Sequence, residues 1–220
     1  MLNMLRLNWS AMKSYRIRFL IIPVCLFVVG CLSPILLVPM GAFQLFSFSL
    51  NPFAVEEKGD LNRLYLTLPV PRRRVVMGRY ALSLLLYMIG VLLGLAMMPL
   101  ANLVSLSKWY LDFKWSLALV SFSFLVYGIM SLAMYPLLFK MGYQKGKVWG
   151  YYVPAVFICL IYIAVLEYDI LVGNGTFIFN LLVYASEHIL AVSAGMFTAG
   201  GILLCLSYLL SARLYARREF

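Results

Sequence analysis

Few residues in this chain are of types that do chemistry, and their spacing excludes most of it. His188 is the single histidine, so no histidine metal site can be built. There is no H-E-x-x-H zinc motif and no G-x-x-x-x-G-K-[ST] phosphate loop. The four cysteines, Cys25, Cys31, Cys159 and Cys205, lie in apolar stretches without metal-ligand spacing. They read as small packing residues, with no disulfide implied. No catalytic, cofactor-binding or metal residue is expected. What remains is one ordered run of charge. Glu56, Glu57 and Asp60 come first, and Arg72, Arg73 and Arg74 follow about a dozen positions on.

The elements that position this run are set by composition. Of 220 residues, 64% are apolar and 12% charged, and the net charge is +10. A soluble domain carries roughly twice that charged fraction. A soluble enzyme, a disordered tail and a disulfide-built secreted domain are therefore excluded. So is a nucleic-acid partner, despite the basic balance.

A helix crossing the hydrocarbon core needs about 20 mostly apolar residues. Phe19–Leu50 carries no charge. As one helix it would run about 48 Å, too long for a core of about 30 Å. It contains Pro23, Pro34 and Pro39, and so reads as a hairpin of two spans, 19–33 and 35–53, turning near Ser33-Pro34. Further spans are expected at 76–104, 115–139, 148–166 and 189–212. The fold class is thus all-α, a single transmembrane domain of six spans over residues 1–220. Residues 167–188 lie outside, and Phe177–Tyr184 within them is too short to cross and could re-enter the membrane.

Basic residues concentrate on the cytoplasmic side of membrane proteins. Of the 18 here, all but Lys108 and Lys114 fall in four segments: the N-terminus, Lys58–Arg79, Lys140–Lys147 and Arg213–Arg218. Six spans put all four segments on one side, with both termini cytoplasmic. Five would separate the first two. No charge sits in the middle of any span, which weakens an ion-coupled carrier or channel. Energy for transport would come from outside the chain.

Two amphipathic segments lie on the cytoplasmic face. Residues 1–18 place Leu2, Leu5, Trp9 and Met12 on one stripe and read as an interfacial helix. Residues 56–68 place Leu61, Leu64, Tyr65 and Leu68 at helical spacing, with the acids in the first part, where the helix dipole favours them. Gly90-x-x-x-Gly94 permits close helix packing, as do Gly195, Gly200 and Gly201.

The run from Glu56-Glu57 through Leu68-Pro69-Val70-Pro71-Arg72, with Val75-Val76-Met77-Gly78-Arg79-Tyr80 after it, resembles the signature of type-2 ABC exporter permeases. It is similar to the small permeases of bacterial peptide-export and immunity systems, such as those exporting phenol-soluble modulins. The resemblance implies a dimer of permease chains, identical or related, in the bacterial cytoplasmic membrane. It also implies separate ABC ATPase subunits carrying the ATP and magnesium, so that this chain is no enzyme. It makes 56–68 a coupling helix, with Glu56, Glu57, Asp60, Leu61, Leu64, Tyr65 and Leu68 facing the ATPase or packing under the spans. Lys140, Lys145 and Lys147 would be a second cytoplasmic contact. The uncharged spans suit an amphipathic or hydrophobic cargo, such as a peptide. The rival readings are an ion-coupled carrier or channel, and a non-transport membrane scaffold.

Overall fold

A computed structural model describes residues 16–32, 34–59, 72–104, 112–171 and 176–217. Among them every regular element is helical. In chain order these are α1 (Arg16–Leu32), a 3₁₀ turn (Pro34–Leu36), α2 (Leu37–Ser47), a second 3₁₀ turn (Phe48–Leu50) and α3 (Asn51–Gly59). Then follow α4 (Arg72–Val104), α5 (Phe113–Met141), α6 (Tyr143–Lys147), a π-helical segment (Val148–Tyr152), α7 (Val153–Leu171), α8 (Thr176–Glu187) and α9 (Ile189–Ala216).

Among the described residues five stretches are long and apolar enough to cross a membrane: Pro34–Glu57, Arg73–Leu103, Phe113–Met141, Tyr143–Val165 and Ile189–Ala216. The chain is therefore a multi-pass membrane protein. Helix α1 is 17 residues long, about 25 Å at helical rise.

Helices α1 and α2 form the expected hairpin. Gly30 lies against Ala101 and Leu37, so their turn sits at the Val104 end of α4. Chain direction then reverses along α2, which runs antiparallel to α4. The break expected after residue 53 is absent. Pro34 through Gly59 forms a nearly continuous rod, with the helix tightened to 3₁₀ pitch at Phe48–Leu50. Asn51-Pro52 does not interrupt it, because Pro52 falls in the first turn of α3, where a missing N–H costs little. Glu56 and Glu57 thus lie within this rod, near its last described residue, rather than at the start of a separate helix. The rest of the expected helix 56–68, with Asp60, Leu61, Leu64, Tyr65 and Leu68, lies outside the described residues. So do residues 1–15 of the expected interfacial helix.

Lipid tails are as apolar as leucine, so helices in a bilayer associate through close packing and hydrogen bonds. Both are present. At the α2–α4 seam a Cβ added to Gly41 would stand 2.6 Å from the Gly90 carbonyl oxygen. One added to Gly94 would stand 2.6 Å from that of Leu37. The Gly90-x-x-x-Gly94 motif is thus consumed within the chain. At the α5–α9 seam Gly128 meets Gly200. A Cβ added to Gly195 or Gly201 would meet nothing within 4 Å among the described residues. Cys25, Cys159 and Cys205 are exposed, so the expected packing role does not hold for them.

A tyrosine–serine network runs through the middle of the bundle. Tyr80 bonds Ser207 at 2.5 Å and Ser211 at 2.9 Å, joining α4 to α9. Ser83 bonds Tyr127, and Tyr87 bonds Ser123, joining α4 to α5. Tyr135 donates to Ser49 at 3.0 Å, and Ser207 donates to the Ser131 carbonyl at 2.8 Å. Helix α7 stands apart. Only 6% of its spanning window is buried, against 50% for Pro34–Glu57.

The glycine seams give a contrast. Gly90→Ala forces a methyl against the backbone of Gly41 and Ala42. It is expected to cost about 1–3 kcal/mol. Gly201→Ala meets nothing and is expected to be neutral or stabilising by up to about 1 kcal/mol. Thermal unfolding of the two variants in the same detergent checks this, and equal midpoints would refute the seam.

Candidate functional site

Of the residues singled out from the sequence, Glu56 and Glu57 lie where α3, α4, α5, α6 and α9 converge. Five of their charged neighbours, Arg73, Arg74, Lys140, Lys145 and Arg213, are exposed at this end of the bundle.

Arg79 lies two turns into α4 and is 3% exposed. A guanidinium this deep needs a counter-charge. Glu56, at 8% exposure, supplies it through an ion pair from its Oε1 to Arg79 Nη2. The guanidinium carbon also sits 4.6 Å from the centre of the Phe53 ring. Glu56 and Phe53 are three residues apart and share a face of α3, so one turn of helix holds the arginine through an N–H edge and through one face. Arg79 Nη1 has no hydrogen-bond partner among the described residues. The sequence placed Arg79 among topology-setting cations. The structure makes it a buried structural charge.

Glu57 turns the other way. Its Oε2 accepts the backbone N–H groups of Tyr143 at 2.6 Å and Gln144 at 3.2 Å. These are orphan donors at the start of α6, and a carboxylate there is favoured by the helix dipole as well. The geometry depends on Gly142. It ends α5 with φ 83°, a backbone region that suits glycine, and its N–H closes on the Leu138 carbonyl at 3.0 Å. The chain can then restart at once as α6. Gly146 and Gly150 bring α6 and the π segment against α5, where an added Cβ would stand 2.8 Å from Leu138 Cα and 2.9 Å from Met134 Cα.

Between these two carboxylates lies a cavity of about 290 Å³. Its lining includes Phe53, Glu56, Glu57, Val75, Gly142, Tyr143 and Tyr215. Phe139 and Tyr215 close one wall, with ring centres 5.2 Å apart. Of the sequence-selected residues, Glu56 and Glu57 are brought together here. Lys140 and Lys145 are exposed nearby, while Lys147 faces the opposite side of α6, near Tyr143 and Tyr152. Among the described residues there is no group of three or more metal-ligating side chains. The arrangement joins helices rather than activates a reactant.

Sequence reasoning missed the tyrosine–serine network. The signal was spacing. Tyr80, Ser83 and Tyr87 fall on one face of α4, and Tyr127, Ser131 and Tyr135 on one face of α5.

A helical bundle of membrane-crossing length defines a multi-pass membrane protein. The family described as ABC-2 family transporter protein matches residues 2–216, and the chain belongs to it. No curated protein and no solved structure gave a match. Family membership supports a permease role in ABC-type transport, as a membrane subunit rather than an enzyme.

The two acids should differ in what their loss costs. Glu56→Ala leaves a buried guanidinium unpaired and is expected to cost about 3–5 kcal/mol, much of it recovered by adding Arg79→Met. Glu57→Ala removes a helix cap at an exposed position and is expected to cost about 0.5–2 kcal/mol. Thermal unfolding of the three variants separates them, and equal losses for Glu56→Ala and Glu57→Ala would contradict the assignment.

Proposed function

We propose that the chain is the permease subunit of an ABC exporter in a bacterial cytoplasmic membrane. On this reading α1 is the first of six spans and both termini are cytoplasmic. The positive-inside rule assigns the end that carries Glu57, Arg73, Lys140 and Arg213 to the cytoplasm. ABC ATPase subunits, which carry the ATP and magnesium, act on that end. A second permease chain completes the pathway. The cargo is amphipathic or hydrophobic, with a peptide as the chemistry the uncharged spans suit.

The observation that supports this reading best is the pair of fastenings at Glu56 and Glu57. One ties the end of the second span to α4. The other ties it to α6, between the fourth and fifth spans. A force applied to the segment after Gly59 would therefore reach three parts of the bundle at once. Asp60, Leu61, Leu64, Tyr65 and Leu68 then belong to the surface that receives the force. Glu56 and Glu57 pass it inward. Lys140 and Lys145 are exposed beside α6 and suit a second contact.

The test is co-expression with an ABC ATPase encoded beside the gene, followed by reconstitution in nanodiscs. The expected result is co-purification, with ATP turnover that depends on the permease. Glu57→Ala should still assemble and should lower that turnover several-fold. An ATPase that neither co-purifies nor responds to the permease would overturn the proposal. Unchanged turnover in Glu57→Ala would remove Glu57 from the coupling route.

A further inference from the structure

A second cavity, of about 340 Å³, lies on the other side of α6 from the first. Tyr143 lines both. The two differ in charge. The first is lined by two carboxylates. The polar residues of the second are Ser47, Asn51, Tyr143, Lys147, Tyr151 and Tyr152, and no acid lines it among the described residues. The Ser47 hydroxyl donates to the Gln44 carbonyl at 2.6 Å. The other five are potential hydrogen-bond donors, and Lys147 brings a full positive charge. Its ammonium stands 5.2 Å from the centre of the Tyr152 ring and 5.6 Å from that of Tyr143. Lys147 forms no salt bridge among the described residues. The nearest acid of the junction, Glu57, is committed to backbone N–H groups of α6.

The walls are built rather than incidental. Tyr151 stacks on Phe43 of α2 with ring centres 5.6 Å apart, and meets Tyr152 edge-on at 5.5 Å. The π-helical turn at Val148–Tyr152 carries both tyrosines. The cavity lies at the start of the candidate span Tyr143–Val165, which also carries Trp149, 58% exposed. Lysine, tyrosine and tryptophan at a span end mark the headgroup level of a bilayer. Basic pockets between spans at this level recognise anionic headgroups.

We propose that this cavity binds the phosphodiester headgroup of an anionic phospholipid. Lys147 supplies the charge, and the tyrosine hydroxyls and the Asn51 amide supply the hydrogen bonds. The acyl chains lie along the exposed face of α7, at Val153, Val156 and Phe157. The bound lipid would bridge the end of α2 to a span that has few contacts of its own. The proposal requires no ATPase and stands apart from the coupling reading.

The test uses the full chain in detergent micelles and native mass spectrometry with phosphatidylglycerol, phosphatidylcholine and inorganic phosphate. Phosphatidylglycerol should bind at least tenfold more tightly than either alternative. Lys147→Gln should weaken it about tenfold, while Lys140→Gln and Lys145→Gln, whose side chains are outside the cavity, change it less than twofold. Tyr152→Phe, which keeps the ring and removes only the hydroxyl, should weaken it about threefold, and it serves if Lys147→Gln fails to fold. Equal effects from all three lysines would reduce the site to general surface charge and overturn the proposal. Binding of phosphatidylcholine or inorganic phosphate as tight as that of phosphatidylglycerol would overturn it as well.

Discussion

A charged side chain buried among apolar helices must be paired, and that constraint organises one end of this molecule. Arg79 is placed two turns inside α4. Its charge can be held there only if an acid comes to it. Glu56 does so, which fixes the rotation and depth of α3 against α4. Once Glu56 is fixed, its neighbour Glu57 points about 100° further around the helix. There it meets the start of α6. Two adjacent acids thus lock two different helices to one rod. The cavity between them, with Phe53 and Tyr215 in its walls, follows from that splay.

The rest of the bundle is held by means that suit a bilayer. Small residues let α2 approach α4 and α5 approach α9 at backbone contact. Tyrosine hydroxyls find serines between α4 and α9, between α4 and α5, and between α5 and the 3₁₀ turn at Phe48–Leu50. Interhelical hydrogen bonds of this kind are worth about 0.6 kcal/mol each on average in membranes. No single bond is decisive, but their placement on the 3₁₀ turn Phe48–Leu50, α4, α5 and α9 defines the core. Helix α7 is outside this scheme, joined chiefly through the π segment that precedes it. It is the element whose position depends most on what surrounds the chain.

Much of this was legible in the sequence. Apolar run lengths mark long membrane-crossing helices, and Pro34 stands between α1 and α2. The acidic pair reads as part of a partner-facing helix, whereas Glu56 is buried against Arg79. Two things were not legible. The expected span 35–53 stops one residue after Pro52, yet a proline in a first turn is harmless, and only the three-dimensional path shows that the helix continues. Arg79 looked like one more cation at a span end. Its burial depends on α3 reaching back over α4, a contact that no local pattern encodes. The same holds for Glu57. A carboxylate near the end of one helix can cap another only when Gly142 turns the chain at the right place, 85 residues away. The Gly90-x-x-x-Gly94 motif was readable as a seam, but not which helix would fill it.

The central claim is that the fastenings at Glu56 and Glu57 make the start of α4 and the α5–α6 turn move as one body. Arg73 and Gln144 are exposed and lie on these two parts. Spin labels at Arg73→Cys and Gln144→Cys, in a background free of other cysteines, report their separation by pulsed electron resonance. In the chain reconstituted with an ATPase, the account predicts one narrow distance distribution that is the same with and without ATP. Adding Glu57→Ala should broaden it. A separation that shifts with nucleotide while Glu57 is intact would contradict the account.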